Sequence, residues 1–351
     1  MIDFAKTFLM EDPRRFRATG RTVAVGAFGK HPAWDDHVKD LALESESLAL
    51  AEVLLSWECI RGQIDSAAWT KLLPEERIGF RHLFVWQRAA QILIGRLWPS
   101  SDGKTRDLYP MVVCFHLMGF SLGEALRCAI PRLESMEAEI RGVSTQPEVR
   151  EILARHRNDL QMLAAETLPQ EEYMELPVMT RERLVNASDP RSVEGLLRTI
   201  HQMESQMEQW KRYKPKSHAN PVLERAQQLR VPRISNDLAE AVLFWTKFCY
   251  AQIDSYIPFL IMVPLDYHWL DITIGKPSSA DLFSLCASPS VVPMVSEIPY
   301  TLDEDFRARA SGFLEAFQHG DSDTLVLAKP GAATSARGGW RKWLGMKLIL
   351  I

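Results

Sequence analysis

Short apolar runs rich in branched and aromatic side chains alternate along this chain with longer, polar, helix-periodic stretches. Val23-Ala-Val-Gly-Ala-Phe28 reads as a buried strand. Leu43, Leu50, Val53, Leu54 and Trp57 fall at helical spacing within 43–58, and 65–73 continues as a short helix closed by Pro74. Residues 82–87 and 91–98 are the arms of a hairpin around Arg88-Ala-Ala90; without Asn-Gly or Asp-Gly its turn type stays open. A further strand is expected over 111–116 and a helix over 122–133.

The pattern changes from 134 to 235. This stretch is polar, helix-prone and interrupted by Pro147, Pro169, Pro177, Pro190, Pro215, Pro221 and Pro232. Asp189-Pro190 suits a helix start, with Asp as N-cap and Pro in the first turn. From there Leu196, Ile200, Met203, Met207 and Trp210 form a short seam, for packing on the same domain or on a partner helix. An apolar helix follows over 236–252, capped by Asn236 or Ser235. Strands are expected over 257–263 and 269–274, and helices over 279–286 and 303–318.

These elements predict an α/β fold. We expect a mixed β-sheet with helices on both faces, a three-layer sandwich, plus a mostly helical insertion. Residues 1–19 read as an N-terminal extension, 20–135 as an α/β core and 136–235 as the insertion. Residues 236–320 complete the core, and 321–351 are a linker and tail. One domain with an insertion is preferred over two independent domains.

Charge narrows the function classes. Lys plus Arg is 41 against 45 Asp plus Glu, a net −4 that lacks the basic bias of a nucleic-acid protein. No apolar run reaches the roughly 18 residues of a membrane span. The first residues carry acids and no A-x-A site, so they do not read as a signal peptide. Cysteines 59, 114, 128, 249 and 286 are odd in number and far apart, without a CxxC. They suit free thiols in a reducing cytoplasm. The segment 340–351, WRKWLGMKLILI, is basic and Trp-containing; its alternatives are an anionic membrane surface, a protein groove or its own domain.

Two runs concentrate turn-formers and charge after strand-like segments. They are Gly26-Ala-Phe-Gly-Lys30-His-Pro32-Ala-Trp-Asp35-Asp36-His37-Val38 and Trp98-Pro-Ser100-Ser-Asp102-Gly-Lys-Thr-Arg106-Asp-Leu-Tyr109-Pro110. The first is no P-loop: its glycines are too close together, and His31 stands where Ser or Thr would reach magnesium. The glycines read instead as turn or positive-φ positions. His31, Asp35, Asp36 and His37 have the side-chain types of metal ligands, but no frame such as H-E-x-x-H is present, and the carboxylates Asp35, Asp36, Asp102 and Asp107 could meet across a cleft. The alternatives are capping carboxylates and one structural ion-pair network with Lys30 and Arg106. No nucleophile motif is present, and Cys114 with His116 reads as core.

In this order, the two runs resemble the TagF family (ImpM or SciT), accessory proteins of bacterial type VI secretion. Gly26, Phe28, Gly29, Lys30, Pro32, Ala33, Asp36 and Val38 fit its first motif; Pro99, Ser100, Asp102, Arg106, Tyr109 and Pro110 fit its second. Thr105 stands where the family has Gly, one extra residue separates Arg106 from Tyr109-Pro110, and Trp34-Asp35 replaces a basic-Gly pair. The resemblance covers roughly 22–135 well and 236–290 weakly.

It implies an α/β protein of the cytoplasm without catalytic residues or cofactor, working by protein–protein contact and in some relatives as a post-translational repressor. The implied partner is a secretion-apparatus component or its forkhead-associated scaffold. Lys30, Pro32, Asp35, Asp36, Ser100, Asp102, Arg106 and Tyr109 are then candidates for an interaction surface. The alternatives are a metal-dependent hydrolase using Asp35, Asp36, His37 and Asp102, and a membrane-peripheral adaptor held by 340–351.

Overall fold

The computed structural model describes residues 20–38, 41, 45–88, 91–165, 227–252, 259–275, 277–297 and 303–308, with single positions at 198, 201, 205 and 311. The 1–19 extension, the seam begun at Asp189-Pro190 (three of whose single positions apart) and the tail lie outside the described residues. The chain divides into two compact units: Met1–Pro169 with Ser217–Arg230 and Tyr256–Pro293, and Gln170–Lys216 with Val231–Ser255 and Met294–Ile351.

Among the described residues seven strands make one sheet. They are β1 (Thr22–Gly29), β2 (His82–Arg88), β3 (Gln91–Trp98), β4 (Met111–Met118), β5 (Gln227–Pro232), β6 (Phe259–Pro264) and β7 (Trp269–Ile274), in the order β1-β4-β3-β2-β6-β7-β5. The α/β class and the return of the C-terminal strands to the sheet are as the sequence predicts. The mixed sheet is corrected to an antiparallel one: every pairing with a defined register runs antiparallel. Short connections favour this for β2–β3 and β6–β7, since adjacent antiparallel strands need only a short turn while parallel ones need a long crossover. In the hairpin, Arg88 pairs with Gln91.

Alternation sorts each strand onto two buried faces. One face carries Phe28, Cys114, Val112, Leu93, Leu97, Phe84, Trp86, Leu260 and Met262, one core with the segment beginning at α1 (Glu46–Glu52). Ser45 caps α1 through a bond from the Leu48 amide. The segment continues as a π-helix, Val53–Ile60, and ends in α2 (Arg61–Asp65). The five-residue spacing of buried Leu54 with Cys59, and of Leu55 with Ile60, suits the wider π turn. Gly95 lets the Phe84 ring cross β3: a Cβ there would stand 2.4 Å from two ring carbons.

The other face is covered by α3 (Leu122–Arg141) on β3 and β4 and by α4 (Gln146–Ala165) on β1. Helix α3 runs eight residues past the expected end at 133, and the insertion's first helix packs on the sheet, so the core does not stop at 135. Its anchor is Arg96 of β3, buried and bonded to Glu137 at 2.8 Å and Glu134 at 3.0 Å. Pro147 was expected to break this stretch. It lies in the first turn of α4, where a missing N–H costs nothing.

Strand β5 has no counterpart among the sequence expectations. Arg230 holds it through a two-pronged pair with Asp271 of β7 at 2.8 Å on each arm. The same guanidinium donates to the carbonyls of Ala287 and Ser284. In the second unit, α5 (Leu238–Gln252) is capped by Asp237, which accepts from the Ala239 and Glu240 amides, and not by Asn236 or Ser235. Ser235 accepts instead from the Asp237 amide. No helix among the described residues is long and apolar enough to cross a membrane.

His82 generates a prediction. It is fully buried at the start of β2, and burial pushes its pKa down to about 3, opposed by the Phe80 backbone and aided by the Arg230 charge. The imidazole is therefore neutral in the fold but protonates near its ordinary 6.5 when unfolded. Stability is full above that value and falls as pH drops toward 3, by up to about 1.4 kcal/mol per pH unit. Urea unfolding at neutral and acid pH should show a shallower acid loss in His82→Leu than in wild type. Equal slopes would contradict this.

Candidate functional site

The two motif loops meet at the end of β1. Gly29 has φ +100°, and a Cβ there would lie 2.0 Å from the Pro110 carbonyl oxygen, so only glycine lets the loops touch. Two backbone bonds lock the contact, Lys30 N–H to Pro110 O at 3.2 Å and Gly103 N–H to Trp34 O at 2.7 Å, and Val38 N–H to Gly29 O at 2.8 Å closes the first loop on itself.

An ion-pair network fills the junction. Lys30 Nζ lies 2.8 Å from Asp36 Oδ1 and 2.8 Å from Asp102 Oδ2. Arg106 Nε reaches Asp102 Oδ2 at 2.7 Å, while its Nη2 reaches Asp36 Oδ1 at 3.2 Å and the Asp35 carbonyl at 2.8 Å. The Lys104 and Arg106 amides, each at 3.0 Å, donate to Asp102 Oδ1. Burial raises the pKa of Asp102, but these bonds from Lys30, the two amides and the Arg106 side chain outweigh it and hold the carboxyl well below the usual range. The Lys30 hydrogen bond takes Asp36 down to about 2. The contribution of Asp36 is therefore complete above its ordinary value of 3.8 and is lost as pH falls through about 2.

The structure separates the candidate residues. Lys30 and Asp102 are buried, 4% and 1% exposed, so they are internal rather than surface groups, a correction to their expected place on an interaction surface. Asp36 and Arg106 are about half exposed and close the network from outside. Asp35 contributes its carbonyl. Pro32 is exposed and Ser100 half-buried, and neither joins the network. Tyr109 is half-buried and packs its ring on His37 with centroids 4.8 Å apart.

The proposed metal cluster does not assemble. An ammonium group already stands between Asp36 and Asp102, where a cation would have to sit. Among the described residues no group of three or more His, Cys, Asp or Glu is placed to hold a metal. His37 turns into an aromatic stack instead, 5.1 Å from the Trp57 ring, and donates Nδ1–H to Asp36 Oδ1 at 3.2 Å. Burial, then the Lys30 charge, lowers its pKa, with Asp36 opposing. His31 is structural: the Ala33 amide donates to Nδ1, so Nε2 carries the proton and donates to Ile140 O at the end of α3. Cys114 is core, its thiol pushed up by burial.

Trp57 is the residue that periodicity misassigns. Expected on a buried helical stripe, it projects from the π-helix with 40% of its surface exposed. Arg61 lies over its ring at 5.9 Å and pairs with Asp65 at 3.2 Å. Trp57, His37 and Tyr109 thus form one aromatic cluster that joins both loops, with Trp57 as its exposed member; Leu108, the chain neighbour of Tyr109, is 57% exposed.

Two variants test the geometry. Lys30→Met strands Asp102 without its buried partner and should cost on the order of 3–5 kcal/mol in urea unfolding. Thr105, β-branched at φ +62°, occupies a conformation that suits glycine, so Thr105→Gly should stabilise by about 1 kcal/mol. A Lys30→Met loss below about 1 kcal/mol, the value of a surface ion pair, would contradict the buried role.

Compared with models of protein families, the chain matches none, and compared with curated proteins it likewise finds no match.

Proposed function

We propose that this chain is a non-enzymatic protein-interaction module, an accessory regulator of a type VI or related contractile secretion system. It acts in the cytoplasm on a secretion-apparatus component or a forkhead-associated scaffold. The family part of this reading rests on the motif residues of 26–38 and 99–110. One observation supports the interaction part. The ionic side chains of the motifs are spent on one another, while Trp57, at the outer end of the aromatic stack they support, is 40% exposed. A general acid or base needs a titration near working pH. Asp36 and Asp102 are held far below it. An exposed Trp beside Tyr and Arg is, by contrast, the usual composition of a binding hot spot.

The docking surface is therefore the Trp57–His37–Tyr109 face, not the buried Lys30–Asp102 pair. Capture from host extract followed by mass spectrometry tests it, with wild type compared to Trp57→Ala. Secretion-apparatus components should be retained by wild type and lost from Trp57→Ala, while Trp57→Ala shifts stability by no more than about 1 kcal/mol. Retention of the same proteins by Trp57→Ala would overturn the assignment of this face. Lys30→Ala is a poor probe, because it confounds unfolding with loss of a contact.

A further inference from the structure

Charge around the aromatic face is lopsided. The segments 30–38, 52–65 and 102–110 carry the acids Asp35, Asp36, Glu52, Glu58, Asp65, Asp102 and Asp107 against the bases Lys30, Arg61, Lys104 and Arg106. Their formal balance of −3 is most of the −4 of the whole chain. Pairing does not spread it evenly. Lys30 and Arg106 serve Asp36 and Asp102, and Arg61 serves Asp65. Among the described residues Asp35, Glu58 and Asp107 are exposed and enter no ion pair, against the single exposed Lys104. Glu52 lies below Trp57, its pKa raised by burial and lowered by a hydrogen bond with that residue.

The aromatic face also receives a cation within the chain itself. The Arg61 guanidinium rests over Trp57, held by Asp65, an arrangement that joins an aromatic ring and a carboxylate around one positive charge. Asp65 and Arg61 are also, after burial, the groups that act most on the Tyr109 hydroxyl. Exposed carboxylates on the segments that carry an exposed ring complement a basic segment. A neutral or acidic segment would leave them unpaired and desolvated, which is unfavourable.

We infer that the Trp57–His37–Tyr109 face docks a basic peptide segment of a protein partner, placing a Lys or Arg side chain against the aromatic rings and others beside Glu58, Asp107 and Asp35. This rests on the docking reading above and adds the chemistry of the occupant. Opposite charge would steer the encounter and make it salt-sensitive.

The test uses the full chain and three labelled peptides of equal length, each with one Leu and one Trp. Their remaining charged positions are all Lys, evenly mixed, or all Glu. Binding is read by fluorescence polarisation. The Lys peptide should bind at least about tenfold more tightly than the other two, and more weakly at high salt. The Asp35→Asn/Glu58→Gln/Asp107→Asn variant should weaken it by about tenfold or more. Binding indifferent to peptide charge or to the three carboxylates would overturn the inference, as would no binding of the Lys peptide. If host partners are still lost from Trp57→Ala while the Lys peptide is ignored, the docking face stands and only its basic occupant falls. If the Lys peptide binds through the carboxylates while Trp57→Ala keeps its host partners, the basic occupant stands and those partners dock elsewhere.

Discussion

The buried pair of Lys30 and Asp102 is the constraint on which the rest of the site depends. Two charges removed from water are tolerated only when each is fully bonded, because desolvation alone costs several kcal/mol per ion. The bonding comes from both loops. Asp36 takes the second share of the ammonium, and Arg106 with two backbone amides saturates Asp102. A loop that moved away would leave a bare charge in the interior. The loops therefore hold one arrangement together, and Gly29, with no side chain to collide with Pro110, makes their contact sterically possible.

The proposed function rests on what this arrangement spends and what it leaves. Lys, Arg and Asp side chains at a strand end invite an acid–base or metal reading, yet here they satisfy one another. What remains outside is the aromatic surface that they support, with exposed Trp57 and a surplus of carboxylates. A rigid scaffold presenting an aromatic face is suited to recognition. That link connects the motif resemblance, an interaction role and a partner of basic character in a single physical account.

Much of the framework was legible in the sequence because burial on two faces writes apolar runs directly. The strands 23–28, 82–98, 111–116 and 269–274 are read that way, and Gly29 follows from its place before a charged turn. Other features left no such trace. Strand β5 is polar and short, and it is ordered by an arginine whose partner lies in a distant strand. The insertion boundary was drawn where the chain turns polar, but α3 continues to Arg141 on a sparse buried face of Leu133, Met136 and Ile140. Trp57 matched a helical stripe at the ordinary period, but the π turn rotates it outward. The candidate site was half legible: its residues were found, but their burial was not. Sequence places Lys30 in a charged loop, and only the fold shows the lysine turned inward.

Hydrogen exchange in Asp102→Asn, read peptide by peptide against wild type, tests most directly whether the two loops are one unit. The account predicts that segments 30–38 and 102–110 lose protection together, while β2 and β3 keep theirs. Loss confined to 102–110, with 30–38 as protected as before, would contradict it and reduce the Lys30–Asp102 pair to a local contact.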